Sequence, residues 1–360
     1  MLDLAEETKP VDTPTPPVRV MVVDDSAIVR GLIVQMVERH PGLAVVARAA
    51  NGEAALAEMD RTPVDVIVLD LEMPVMDGMT ALPLMLAKRP GLRIIVASTL
   101  SQRNARISLE ALQKGASDYV PKPETGSLVN AAEFERELTS KIMALGRRPA
   151  VGATARSNPP IPLAPRRGNP VRPGVIAIGG STGAPPVLLK VIAGLKDAVT
   201  QPILITQHMP ATFTALLAEQ IERAGGRPCA EGKDGEPILP GRTYVAPGGF
   251  HMTVGRSGAT PVIRLNQEPP EHYCRPAVDP MLRSAAEVYG NRLAAVILTG
   301  MGHDGAEGCR IAATSGGRFA VQDEATSAVW GMPGAAAKTG LAEAVLPADS
   351  IADWIKEIAK

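Results

Sequence analysis

Two sets of polar residues are spaced as chemistry would need them. In the second half, Gly179-Gly180-Ser181-Thr182-Gly183 fits the G-x-S-x-G pattern of a nucleophile turn, between an apolar run at Gly174–Ile178 and a helical stretch through Leu195. Such a turn lifts a hydroxyl above a sheet and points a helix N-terminus at it, where anionic charge is favoured. A glycine-rich phosphate or dinucleotide loop begins similarly, but the third glycine of G-x-G-x-x-G is missing, and no acidic residue ends a second strand about 20 residues on. The apolar run Pro202–Thr206 instead leads into Gln207-His208, and Arg292–Leu298 leads to Met301, His303 and Asp304. A serine, a histidine and an aspartate after three strands are what a hydrolase needs: Ser181 as nucleophile, His208 as general base, Asp304 orienting the imidazole. The order Ser, His, Asp excludes the α/β-hydrolase fold, whose order is Ser, Asp, His. His303 is a competing base, although it and its neighbour Asp304 do not easily both face Ser181. His40, at a helix end, carries no chemistry.

The first half offers phosphoryl chemistry. Its apolar runs end at Asp24-Asp25, at Asp70 and at Ser98, and Lys122 lies just past a fifth. Ligands of an open parallel sheet bind outside the C-terminal ends of its strands. Three carboxylates there repel one another unless a hard cation sits among them. Mg²⁺ suits, because it takes one or two carboxylates plus waters and phosphate oxygens. A hydroxyl and a lysine opposite, Ser98 and Lys122, would meet phosphoryl oxygens and neutralise charge. Thr99 takes the place of Ser98 if that strand ends one residue later.

Regular elements must position both sets. Strands at Val18–Val23, Leu43–Arg48, Val64–Leu69, Arg93–Ala97 and Asp118–Val120 alternate with helices, the last near Ala131–Leu145. Five βα units imply a doubly wound parallel sheet with right-handed crossovers. The second half begins in the same way, whereas 228–264, rich in Gly, Pro, Thr and Val, reads as β-hairpins before helix returns at Val278–Tyr289. Residues 141–172 hold seven basic residues, no acidic one and many prolines, which reads as a linker. The expected division is a domain over 18–140, a linker over 141–172 and a second domain over 173–360.

Composition narrows the classes. The chain has 360 residues, 37 Lys+Arg against 38 Asp+Glu, and only 3% aromatics, so its cores are aliphatic and it is no nucleic-acid-coating protein. The acidic, Pro/Thr-rich start reads as no signal peptide, and no apolar run is long enough for membrane insertion. Cys229, Cys274 and Cys309 show no metal-binding spacing and read as reduced thiols in a cytoplasm, without a reactive role.

Particular motifs carry a resemblance. VDDS around Asp24-Asp25, LDLEMPVMDG from Leu69 to Gly78, the Ser98-Thr99 strand end and DYVPKP around Lys122 resemble a response-regulator receiver domain. IGGSTGA around Ser181, ITQHMP (Ile205–Pro210), the run from Asp234 to Met252, RPAVDPML (Arg275–Leu282) and LTGMGHDGAEG (Leu298–Gly308) resemble the chemotaxis protein-glutamate methylesterase family. The resemblance implies two doubly wound α/β domains: a flavodoxin-like (βα)5 receiver and a Rossmann-like hydrolytic domain with a β-hairpin insertion. It implies that Asp70 accepts a phosphoryl group from a histidine kinase, with Asp24, Asp25 and the Glu72 carbonyl helping Asp70 to hold Mg²⁺. Ser98 and Lys122 would meet the phosphoryl oxygens, and Tyr119 would be the aromatic switch. For the second domain it implies hydrolysis of glutamyl methyl esters on methyl-accepting chemoreceptors, and deamidation of receptor glutamines, with no cofactor for ester hydrolysis. Ser181, His208 and Asp304 fall on the family triad, the Met301 amide on its oxyanion hole, and His303 where Asn or Ser is more usual. The expected protein is a cytoplasmic monomer without nucleic-acid partners. Alternatives are another receiver-controlled serine hydrolase or amidase with a different substrate, or a binding-only regulator with a vestigial site.

Overall fold

The computed structural model describes residues 16–99, 101–122, 128–146, 163–164 and 171–360. Strands β1 (Val18–Val23), β2 (Leu43–Ala49), β3 (Val66–Asp70), β4 (Arg93–Ser98) and β5 (Asp118–Pro121) alternate with helices α1 (Ala27–Glu38), α2 (Gly52–Arg61), α3 (Gly78–Lys88), α4 (Gln102–Gln113) and α5 (Leu128–Gly146). The strands form one parallel sheet in the order β2-β1-β3-β4-β5. β1, β3 and β4 are Val/Ile-rich runs buried on both faces, as helices packed on either side of a parallel sheet require. Four of its helices start on side-chain caps: Ser26, Asn51, Asp77 and Ser101 each accept a first-turn backbone N–H.

The expected start of the linker at 141 falls inside α5. Lys141 is nearly buried there and forms ion pairs with Asp118 (3.3 Å) and Glu137 (2.7 Å). The fifth helix therefore runs to Gly146, because its last turns are pinned to β5 by charge. Linker residues Arg147, Arg148, Arg156, Arg166 and Arg167 lie outside the described residues. Arg172 donates to the Ala359 carbonyl at 2.8 Å, so that end of the expected tether is tied down.

The second sheet has seven strands, all parallel, in the order β14-β13-β12-β6-β7-β9-β8. In chain order these elements are β6 (Val175–Gly180), α6 (Ala184–Gly194), β7 (Ile203–Gln207), α7 (Ala211–Gly225), β8 (Cys229–Glu231), β9 (Thr243–Val245), the hairpin β10 (His251–Ser257) and β11 (Thr260–Asn266), α8 (Val278–Tyr289), β12 (Leu293–Ile297), α9 (Ala306–Thr314), β13 (Arg318–Gln322), α10 (Met332–Ala337), β14 (Ala344–Leu346) and α11 (Ile351–Ala359). The reading of 228–264 as hairpins is corrected in part. β10 and β11 do form one, but β8 and β9 join the parallel sheet instead. They are three residues long, too short for alternation to betray them, and β8 reaches the sheet only through β9, which pairs with β7 on the far side of α7.

The strand order reverses direction of growth at β6, which has β7 on one side and β12 on the other. Such a switch point leaves a crevice outside the strand ends. One apolar cluster covers a face of this sheet under α8, α9 and α10. Another runs without a break from β3, β4 and α4 of the first sheet into α6, α7 and α11 of the second. No described helix is long and apolar enough to cross a membrane.

Candidate active site

The crevice at the switch point collects Ser181 after β6, His208 after β7 and Asp304 after β12. Three backbone bonds fix the strand ends to one another: Leu298 N–H to Gly179 O (2.8 Å), His208 N–H to Gly180 O (3.1 Å) and Ser181 N–H to Thr299 O (3.1 Å). Ser181 Oγ lies 3.1 Å from His208 Nδ1, and His208 Nε2 lies 2.7 Å from Asp304 Oδ2. Asp304 is buried and also accepts the N–H groups of Val278 (2.6 Å) and Asp279 (2.9 Å). A carboxylate that accepts on both oxygens leaves Nε2 to carry the shared proton, so Nδ1 presents its lone pair to Ser181. Burial works against the Asp304 charge, but its bonds to His208, Val278 and Asp279 outweigh it and hold the carboxyl below the ordinary range. At His208, burial disfavours the cation, yet the bonds to Asp304 and Cys274 raise it to about 10.

Glycine makes the close approach of the third loop possible. A Cβ on Gly300 would sit 2.4 Å from Met332 Sδ and 2.8 Å from Ser181 Cβ. Next to it, the Met301 N–H has no acceptor among the described residues and remains available to an oxyanion. α6 begins on Gly183, which has φ of +74° and offers no side-chain cap. The helix N-terminus therefore adds its dipole at the serine without a competing side-chain acceptor. His303, the competing base, packs its ring edge-on against His272 at 4.4 Å. His40 Nδ1 accepts the Gly42 N–H, a local bond.

Several site residues escaped sequence reasoning. Cys274 Sγ lies 3.3 Å from His208 Nδ1. His272 Nε2 bonds Asp279 Oδ2 at 2.9 Å and lies 3.9 Å from Asp304 Oδ1, which places a second His–Asp pair behind the first. Gln207 donates to the Ser181 carbonyl at 2.9 Å, and Thr299 Oγ donates to that of Thr182 at 3.0 Å. Gln207 and Cys274 were within reach, since each sits inside or just before a quoted motif, but nothing in their spacing distinguished support from filler.

The first sheet brings Asp24, Asp25 and Asp70 together, with ligand oxygens within 4.8 Å of one another. Lys122 Nζ bridges Asp24 (2.7 Å) and Asp70 (2.8 Å). Burial raises the Asp70 carboxyl, and Asp24 adds to that while Lys122 opposes it. This crowding of negative charge fits a divalent cation. Glu72 donates its N–H to Asp70 Oδ1 at 3.5 Å. Ser98 is not among the partners of Asp70: its hydroxyl lies 2.6 Å from Ser108 Oγ, which itself donates to the Asn104 carbonyl. Thr99 Oγ accepts from Asn104 at 2.6 Å. Tyr119 is buried and stacks on Phe213 of α7, with ring centroids 4.4 Å apart. Arg106 of α4 pairs with Glu219 of α7 at 3.6 Å, and Arg136 of α5 lies 4.6 Å over the Tyr273 ring.

Two family models match the chain: "CheB methylesterase" over residues 176–355 and "Response regulator receiver domain" over residues 20–133. A curated protein-glutamate methylesterase/protein-glutamine glutaminase 1 of Paramagnetospirillum magneticum is 50% identical, covering 97% of this chain and 99% of that protein. A protein of the same description from the group 2 operon of Rhodospirillum centenum is 51% identical over 95% of this chain and 94% of its own. Among solved structures, the Thermotoga maritima CheB methylesterase catalytic domain matches with TM-score 0.51 and 37% identity, covering 52% of this chain and all of that one.

Proposed function

This chain belongs to the CheB methylesterase family and carries a response regulator receiver domain ahead of its catalytic part, and from that premise we propose that it is a phosphorylation-controlled chemotaxis enzyme. It hydrolyses glutamate methyl esters of chemoreceptors to glutamate and methanol, and deamidates receptor glutamines. The observation that carries the reading is the hydrogen-bonded line from Ser181 through His208 to Asp304, drawn from three strand ends at one switch point. His208 Nδ1 takes the Ser181 proton as Oγ attacks the side-chain carbonyl of a methylated glutamate. The oxyanion forms against the Met301 N–H and the start of α6. The proton on Nδ1 passes to the departing methoxide, which leaves as methanol, or to the amide nitrogen when the substrate is glutamine, which leaves as ammonia. Water, deprotonated by His208, then cleaves the glutamyl-serine ester and restores Ser181. Asp304 stays ionised throughout and stabilises the imidazolium.

In the receiver we assign Asp70 as the acceptor of a phosphoryl group from a histidine kinase. Asp24, Asp25, Asp70 and the Glu72 carbonyl would hold Mg²⁺, which neutralises phosphoryl charge when bound. Lys122, which pairs with both Asp24 and Asp70, would meet the same oxygens, and Ser98 or Thr99 would leave its present partner to do so. The division follows as receiver, basic tether and catalytic domain, acting as a cytoplasmic monomer. The test is methanol release from methyl-labelled receptor membranes, run beside labelling by a serine-directed reagent. Ser181→Ala protein should lose both signals. A variant that still releases methanol at a near-normal rate removes Ser181 from the nucleophile role.

A further inference from the structure

We propose that Cys274 is a positioning residue for the general base: its thiol shares the Nδ1 site of His208 with the Ser181 hydroxyl and so sets how often that nitrogen is free to take the serine proton. This rests on the reading of Ser181, His208 and Asp304 given above.

The geometry is a competition for one atom. With Nε2–H given to Asp304, the neutral ring has a single lone pair, on Nδ1. Ser181 Oγ approaches it at 3.1 Å and Cys274 Sγ at 3.3 Å. When the ring is protonated the roles reverse, and Nδ1–H donates to either oxygen or sulfur. Of the two bonds, the one that the charged ring donates to sulfur is charge-assisted and outweighs the one that the neutral ring accepts from the thiol, so Cys274 favours the protonated form, and the charged ring cannot act as a base. Cys274 therefore holds His208 in a resting state as well as in place.

The sulfur is delivered by a turn that has little freedom. Glu271 and Cys274 exchange backbone bonds at 3.1 and 2.8 Å, and between them His272 and Tyr273 both take left-handed conformations, with φ of +52° and +63°. One side of the turn is anchored by the Glu271–Arg283 ion pair and by His272 on Asp279. The other side is anchored by Arg275, which donates to the carbonyls of Gln267 and Glu268 at 3.0 Å. The ionisable groups facing His208 are then Asp304 from the β12 loop and Cys274 from this turn, with His272 and Asp279 behind Asp304 and the exposed His303 against the His272 ring. From the receiver side, Arg136 reaches only the Tyr273 tip of the turn.

The test compares the full-length chain with Cys274→Ala and Cys274→Ser. Two readouts are followed: the NMR titration of the His208 ring, and the pH dependence of kcat/KM for methyl-ester hydrolysis. In Cys274→Ala the ring midpoint should fall by about one pH unit, raising the rate at neutral pH by up to about tenfold. Cys274→Ser, whose hydroxyl keeps a bond to the ring, should fall between the two. A midpoint unchanged in both variants overturns the proposal. So does a lower rate at an unchanged midpoint, which marks a purely structural role. The ring titration is repeated in the Ser181→Ala background, so failure there belongs to this proposal alone. Esterase activity persisting in Ser181→Ala would instead overturn the nucleophile reading and leave the midpoint shift standing.

Discussion

Asp304 accepts from His208, Val278 and Asp279 while almost wholly buried, and that arrangement decides how His208 behaves. A fixed carboxylate 2.7 Å from Nε2 selects one tautomer, leaves Nδ1 toward the serine and favours the imidazolium. Because the folded-state value of His208 lies above its ordinary 6.5, near 10, the protonated pair contributes stability present below about pH 6.5 and lost as pH rises through 10. The base form appears over the same window. Ester hydrolysis should therefore climb with pH on the alkaline side, as a profile of kcat/KM would record. Asp304→Asn should move that limb toward neutral pH and still lower kcat by about 10⁴-fold, since the wrong tautomer faces Ser181. Ser181→Ala should cost a similar factor or more while leaving the thermal unfolding midpoint within a few degrees. The three residues were legible in the sequence because each follows a continuous apolar strand. Cys274 was not, because it reaches His208 only through two left-handed residues, His272 and Tyr273, where no glycine marks the turn.

Among the elements, the two sheets handle their helix starts differently. The receiver helices α1 to α4 close on side-chain caps, whereas α6 and α9 start on Gly183 and Gly305 with positive φ and no cap. Glycine starts cost helix stability little, about a few tenths of a kcal/mol each relative to a side-chain cap, and leave N–H groups for a ligand. Gly300 serves the same end on the facing loop. Gly300→Ala should push that loop off Ser181 and lower kcat by roughly 10²-fold or more with little change in KM, because one oxyanion donor is misplaced. Steady-state kinetics on methylated receptor would settle it, and an unchanged kcat would show that the loop has room to move. The sequence also exposed most of the strands, since long Val/Ile runs buried on both faces need no tertiary knowledge to read. It concealed β8 and β9, three-residue strands held to the sheet through β7, and the true end of α5. That end depends on the charges of Asp118 and Glu137 holding Lys141.

At the scale of the whole molecule, the expected switch residue packs against the helix that follows the expected general base. Tyr119 stacks on Phe213, five residues beyond His208, inside an apolar cluster shared by both sheets. Arg136 reaches the turn that carries Cys274. Phosphorylation of Asp70 that moves Tyr119 would loosen this seam beside the crevice, so deleting residues 1–145 should raise basal esterase activity. A deletion protein no faster than the unphosphorylated chain would exclude occlusion as the mode of control. The near-balanced charge of the full sequence also has a finer meaning. Flanking parts that are slightly acidic are joined by a basic stretch, of which Lys141 is already committed to the receiver and Arg172 to the C-terminal helix. The most direct measurement follows methanol release from methyl-labelled receptor membranes with and without a small-molecule phosphodonor, for the native chain, Asp70→Asn and Ser181→Ala. Control of the Ser181 esterase through Asp70 requires a rate that rises with phosphodonor in the native chain, stays at the basal level in Asp70→Asn and is absent in Ser181→Ala. Stimulation that survives in Asp70→Asn, or methanol released by Ser181→Ala, would contradict it.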